Sequence, residues 1–322
     1  FKGAPMPLYP GDWYWFPSRV IPGDPITEFP YFTFIYADLH AHLIALPIAV
    51  FAVAWGLSAL LSKARLGEHR SGKWVRAALS FFIGALVIGA LKPTNTWDYY
   101  TFLILNLCVL GYVGWRYLKV NGLDTKEWLA RLLPAAAMII ALTALSMLLY
   151  SPFNRLVHPG YNQIGLWTGD RTPLSSYFTH WGLLLFIVVF WYAWESYQWL
   201  AATPLSALKR LEPHKNQLKI VALFLAGLLI FLLVLKVSVA LIVLPLCLWS
   251  LILLLKSGQS DIKKLMFFMV ATALLETLVV EMVYLVGDIG RMNVVFKLYM
   301  QAWLLLALTA GSALILLWTS QH

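Results

Sequence analysis

Charge is scarce in this sequence, cysteine is nearly absent, and the signatures of nucleotide chemistry are missing. Charged residues make up 12% of the 322 positions, about half of what a soluble domain carries, which excludes an ordinary soluble class. Only Cys108 and Cys247 are present, both inside apolar runs, where a thiol behaves as a small hydrophobe and no disulfide framework is indicated. There is no Gly-x-x-x-x-Gly-Lys-Ser/Thr loop, no dinucleotide glycine fingerprint, no His-Glu-x-x-His and no Gly-x-Ser-x-Gly. ATP-driven transport and hydrolysis by those routes are thereby argued against. Fixed-period repeats, heptads and low-complexity tracts are also lacking. The chain starts at Phe1 with neither an initiator Met nor a basic stretch leading into an apolar one, so it reads as the carboxyl-terminal part of a longer protein.

What is abundant is hydrocarbon: 61% of residues are hydrophobic and 15% aromatic, including 15 Trp. Trp and Tyr favour the two interfaces of a bilayer, so many short spans are expected. Residues 1–37 carry Pro5, Pro7, Pro10, Pro17, Pro22, Pro25 and Pro30 beside Trp13, Tyr14, Trp15 and Phe16. That density of proline precludes a long helix and predicts an interfacial loop. Apolar segments of bilayer-spanning length follow near 42–62, 75–91, 97–118, 129–150, 177–200, 217–235, 237–255, 264–286 and 294–318. The predicted fold is therefore an all-α polytopic transmembrane protein of about nine spans, continuous over 38–322. A loop near 151–179 is longer than most connections, and a very tight turn is expected at Lys236.

The net charge of +9 is a topology signal and not a nucleic-acid footprint. Sixteen of the 24 basic residues fall in four alternate short loops: Lys63, Arg65, Arg70, Lys73 and Arg76; Arg116, Lys119, Lys126 and Arg131; Lys209, Arg210, Lys215 and Lys219; Lys256, Lys263 and Lys264. The positive-inside rule makes those loops cytoplasmic. The amino-terminal loop then faces the extracytoplasmic side of the cell membrane and the carboxyl end the cytoplasm.

The groups with chemistry lie on the outward side. Asp38, His40 and His42 stand at the mouth of the first span, where ionisable side chains are expensive and are default functional candidates. If the stretch is extended, all three share one side; if helical, Asp38 and His42 share a face. Either arrangement suits a divalent metal ion or one transferred proton, and anchoring of the helix end is the plainer alternative. Lys92 to Asp98 joins two spans, with Pro93 as a breaker, Thr94 or Asn95 as caps, and Trp97 and Asp98 as a polar rim beside Asp38. Glu276 and Glu281 fall within the predicted eighth span, where a carboxylate needs an interior partner, with Lys236, Arg291 and Lys297 the nearest cations by topology. Arg291, Asn293 and Lys297 open the last span, and a lipid-linked phosphate or Glu281 is the natural partner of those cations. In the long loop, His158, Tyr161, Asn162, Trp167, Asp170 and Arg171 form a mixture found equally in carbohydrate sites and in ordinary surface loops.

An ordered series of short motifs resembles the Chlor_Arch_YYY membrane proteins: Trp15, Ser18-Arg19-Val20-Ile21-Pro22, Glu28-Phe29-Pro30-Tyr31-Phe32, Asp38-Leu39-His40-Ala41-His42, Ala45-Leu46-Pro47, Asn95-Thr96-Trp97-Asp98, His180-Trp181-Gly182, Arg291-Met292-Asn293-Val294-Val295-Phe296-Lys297 and Gln301-Ala302-Trp303. That family is grouped with the GT-C superfamily, polytopic glycosyltransferases that take a sugar from a polyprenyl-phosphate carrier on the extracytoplasmic side. The resemblance implies that fold and activity. The residues themselves then suggest Asp38 or His42 as the group that handles the proton, Asp38, His40 and His42 around any divalent metal ion, and His40, Trp97, Asp98, Glu281, Arg291, Asn293 and Lys297 as the groups that meet substrate. GT-C enzymes usually place a catalytic acid in the first extracytoplasmic loop after a first span. This chain lacks that span, so the base falls upstream of Phe1 or on Asp38. The rival readings are a transporter or flippase with Glu276, Glu281 and Lys297 as its relay, and a non-catalytic subunit packed against other membrane subunits and lipids.

Overall fold

A computed structural model describes residues 15–23, 25–62, 73–117, 125–157, 160 and 163–320. Asp12, Trp13, Tyr14, Asp24, Lys63, Arg65, Arg70, Lys119, His158, Tyr161 and Asn162 lie outside the described residues. The helices are α1 (Pro30–Tyr36), α2 (Ala41–Leu61), α3 (Lys73–Thr94), α4 (Thr96–Tyr117), α5 (Thr125–Leu149), α6 (Ser151–Leu156), α7 (Leu174–Ala201), α8 (Lys215–Val234), α9 (Ala240–Leu255), α10 (Asp261–Val279) and α11 (Arg291–Thr319). Each apolar segment foreseen from sequence overlaps one of them, the one near 264–286 only in part. Among the described residues, six helices are long and apolar enough to cross a membrane: α2, α3, α5, α7, α8 and α11; α9 is apolar but shorter. The protein is an integral membrane protein built almost wholly of helix.

Two departures from the sequence reading concern helix ends. The fold is not purely helical: β1 (Ile164–Leu166) pairs antiparallel with β2 (Val283–Leu285), Gly165 opposite Tyr284. A Cβ on Gly165 would stand 2.6 Å from the Tyr284 ring, so the strands approach this closely only over glycine. The predicted span over 264–286 accordingly stops at Val279. Its last apolar residues, Val283, Tyr284 and Leu285, are spent on strand pairing.

The chain, which hydropathy alone leaves undivided, falls into two compact units: Phe1–Phe32 with Tyr161–His322, and Thr33–Gly160. The unit of 33–160 packs α2, α3, α4 and α5 through small residues. A Cβ on Gly84 would meet the Trp55 ring at 2.2 Å, one on Gly89 the Ser146 carbonyl at 2.7 Å, and one on Gly114 Ala135 at 2.6 Å. In lipid, where apolar tails give helices no hydrophobic reason to associate, close backbone approach supplies the packing. Trp55 Nε1 donates to Ser80 O at 2.8 Å and Tyr150 Oη to Leu86 O at 2.9 Å, tying α2 to α3 and the end of α5 to α3.

The other unit packs α7, α9, α10 and α11 around Trp181, Trp191, Tyr177, Tyr192, Tyr299 and Phe267, all fully buried. Trp191 stacks on Phe267 at 4.5 Å and Trp181 meets Tyr299 edge-on at 4.9 Å. Residues 15–32 fold onto this unit: Thr27 N donates to Ser18 O at 2.9 Å, Arg19 covers the Trp15 ring, and Phe29 lies against His180 and Trp303. Between α8 and α9, Lys236 adopts φ +62 and Val237 N donates to Leu232 O at 2.9 Å. That is the tight turn expected there.

Candidate functional site

The linker between α1 and α2 carries the first cluster. Ala37 takes φ +53 and His40 N donates to Asp38 O at 2.7 Å, which folds residues 37–40 into a tight turn. That turn brings His40 Nδ1 to 2.5 Å from Asp38 Oδ2, with the side chains 55% and 48% exposed. His42 is not a member of that ion pair. Helix α2 begins at Ala41, so His42 sits in its first turn, 3% exposed, with Nε2 3.5 Å from Thr33 Oγ1. The His40 and His42 rings are 5.4 Å apart between centroids. Neither a single extended stretch nor a single helix is formed: Asp38 and His40 pair in the turn, and His42 follows in the first turn of α2 with its ring beside that of His40. Among the described residues no three His, Cys, Asp or Glu side chains converge as metal ligands. Of the expected ligand set Asp38, His40 and His42, the structure pairs Asp38 with His40 directly.

In the same unit, Asp98 occupies the first turn of α4 and is only 5% exposed, while Trp97 is half-buried. Asp98 thus belongs to the packed interior, not to an open rim. Helix α3 runs through Pro93 to Thr94, and Asn95 N still donates to Leu91 O at 2.7 Å. The threonines cap nothing: Thr94 Oγ1 turns back to Ala90 O, and Thr96 Oγ1 to Lys92 O at 2.9 Å.

The second cluster, in the other unit, is built on the turn after α10. Because α10 stops at Val279, Glu281 lies in that turn, not in the helix the sequence suggested, and is fully buried. Arg291, the first residue of α11 and 4% exposed, pairs its Nη2 with Glu281 Oε1. The same Nη2 donates to Thr172 Oγ1 at 2.6 Å, Nε to Val280 O at 2.8 Å, and Nη1 reaches Asp170 O at 3.4 Å. Thr172 completes the cage: its Oγ1 donates to Glu281 Oε1 at 2.5 Å and its N–H to Oε2 at 3.0 Å. Arg171 Nη1 donates to Glu281 O. Partial burial lowers the Arg171 pKa from its usual value; the Glu281 charge opposes that shift and the Arg291 charge adds to it. With β1 and β2, this network clips the segment before α7 to the turn between α10 and α11.

Thr172 escaped the sequence reading. Its only signal is Pro173, which opens α7 and leaves the preceding N–H outside the helix in need of an acceptor.

Along α11, Asn293 Nδ2 donates to Asp288 Oδ2 at 2.7 Å, bracing the turn that Gly287 and Gly290 make at φ +88 and +66. Lys297 is half-buried with Nζ 4.8 Å from the Phe296 ring centroid. Glu276 lies in the last turns of α10, 8% exposed.

A family model described as an uncharacterized membrane protein (DUF2298) matches residues 2–306. The chain belongs to this family. The match spans both clusters and nearly all the helices, and the family description names a membrane protein without a reaction. No curated protein and no solved structure matches the chain.

Proposed function

We propose that this chain is a glycosyltransferase of the GT-C kind, moving a sugar from a polyprenyl-phosphate donor to a hydroxyl acceptor at the extracytoplasmic face of the cell membrane. The observation that carries this reading is the 2.5 Å contact between Asp38 and His40, both about half exposed, immediately ahead of a helix able to span a bilayer. A carboxylate bound to Nδ1 fixes the imidazole tautomer and leaves Nε2 as proton acceptor. The acceptor hydroxyl gives its proton to His40 Nε2 as its oxygen bonds to the anomeric carbon. The bond from that carbon to the phosphate oxygen breaks, and its electron pair stays on the departing polyprenyl phosphate. Asp38 is then the orienting carboxylate and His40 the base. Of the two cations at the head of α11, Arg291 is engaged by Glu281, Thr172 and two carbonyls.

The test is release of polyprenyl phosphate from a polyprenyl-phosphate-linked hexose by the reconstituted protein. Wild type is expected to release it, and Asp38→Asn and His40→Gln to lose most of that activity. Full activity in both variants would end this assignment. A non-catalytic subunit is the second reading, favoured by the closure of Glu281 and Arg291 on each other. It predicts stable co-purification with a larger membrane complex and indifference to substitution at Asp38 and His40.

A further inference from the structure

Residues 205–234 combine two features that the proposed transfer does not use. The 3-10 helix Leu205–His214 runs without a break into α8, His214 Nδ1 lying 2.7 Å from Gln217 Oε1 across the junction. At this junction Lys209, Arg210, Lys215 and Lys219 face one carboxylate in sequence, Glu212. Lys209, Lys215 and Lys219 are exposed, as are the neighbouring Leu211 and Leu218. Lys215 and Lys219 stand one turn apart on the same face of α8.

Above this basic collar, α8 is apolar on all sides and has a single buried residue, Leu232. A helix of that composition with almost no protein against it is surrounded by acyl chains. Its charged end, exposed at Lys209, Lys215 and Lys219 among the described residues, then stands at the headgroup layer. A basic cluster directly beside a span, with exposed leucines to enter the acyl boundary, is complementary to negative headgroups.

We propose that the Lys209, Lys215 and Lys219 collar at the base of α8 is a binding surface for anionic phospholipid headgroups. The lysine stems lie along the leucines while the ammonium groups reach phosphate. The attraction falls off within a Debye length and is weakened by salt.

The test uses the whole chain reconstituted in phosphatidylcholine vesicles, with energy transfer from its tryptophans to dansyl-phosphatidylglycerol or dansyl-phosphatidylcholine as probes. Wild type is expected to enrich the anionic probe about 100-fold over the neutral one at low salt, each of the three lysines contributing about fivefold, and to lose the enrichment at high salt. A Lys209→Gln, Lys215→Gln, Lys219→Gln triple variant should show none, and the matching triple Arg variant should keep it. Equal transfer to both probes in wild type overturns the proposal. So does undiminished enrichment in the Gln variant, or cross-linking of two copies through these lysines in place of lipid capture.

Discussion

Arg291 and Glu281 close on each other with both side chains removed from solvent, the guanidinium 4% and the carboxylate 0% exposed. The pair joins the start of α11 to the turn after α10, and Thr172 is inserted between its members. A buried pair repays its desolvation only when further hydrogen bonds satisfy the remaining donors and acceptors, and Thr172 with the Val280 and Asp170 carbonyls does so here. This buried pair therefore serves the architecture of the unit.

Removing one member of that pair should be costly. Arg291→Met leaves a buried carboxylate without its counter-ion, and a loss of about 3–5 kcal/mol is expected. The double variant Arg291→Met, Glu281→Leu should recover most of it. Thermal unfolding in detergent reads both, and equal stability of the single and double variants would refute the pairing.

The two histidines should separate by readout. His40→Gln is expected to lower the rate of sugar transfer by about 100-fold or more, the usual worth of a positioned base, with the unfolding midpoint unchanged. His42→Ala, at a 3% exposed position, should instead lower stability by about 1–3 kcal/mol. Rate measurements on refolding-competent, monodisperse samples of each variant decide it.

At Gly84 even a methyl group is too large. Its Cβ would stand 2.2 Å from Trp55 Cε2, and Trp55 is held in place by Ser80 O at 2.8 Å. Gly84→Ala should cost about 1–3 kcal/mol, with part of the loss restored by Trp55→Leu in the same chain. Unfolding midpoints of the two singles and the double measure the coupling.

Orientation is open to direct labelling. In a background lacking Cys108 and Cys247, Thr168→Cys should react with an impermeant maleimide from outside intact cells. Ser257→Cys should react only after permeabilisation. Both positions are exposed, so the reverse pattern would mean that the basic loops face outward.

The helices were legible in the sequence because a bilayer-spanning run is a local property: length and composition suffice to place it. The turn at Lys236 was legible for the same reason, since a single cation between two apolar runs leaves the chain little room. The Asp38 and His40 pair was visible as a motif, but its geometry was not. Whether Asp38, His40 and His42 share a face depends on where α2 starts, and helix starts are decided by packing as much as by composition. The end of α10 was hidden altogether. Val283, Tyr284 and Leu285 are as apolar as the helix before them. Only pairing with Ile164, Gly165 and Leu166, more than a hundred residues earlier, turns them into a strand. That pairing brings Glu281 out of the helix to Arg291 and Thr172. Sequence alone determined that this chain lives in a membrane and roughly where its long helices lie. The partner of each buried charge was decided by tertiary structure, because a carboxylate in a low-dielectric interior takes whichever donors the fold delivers to it.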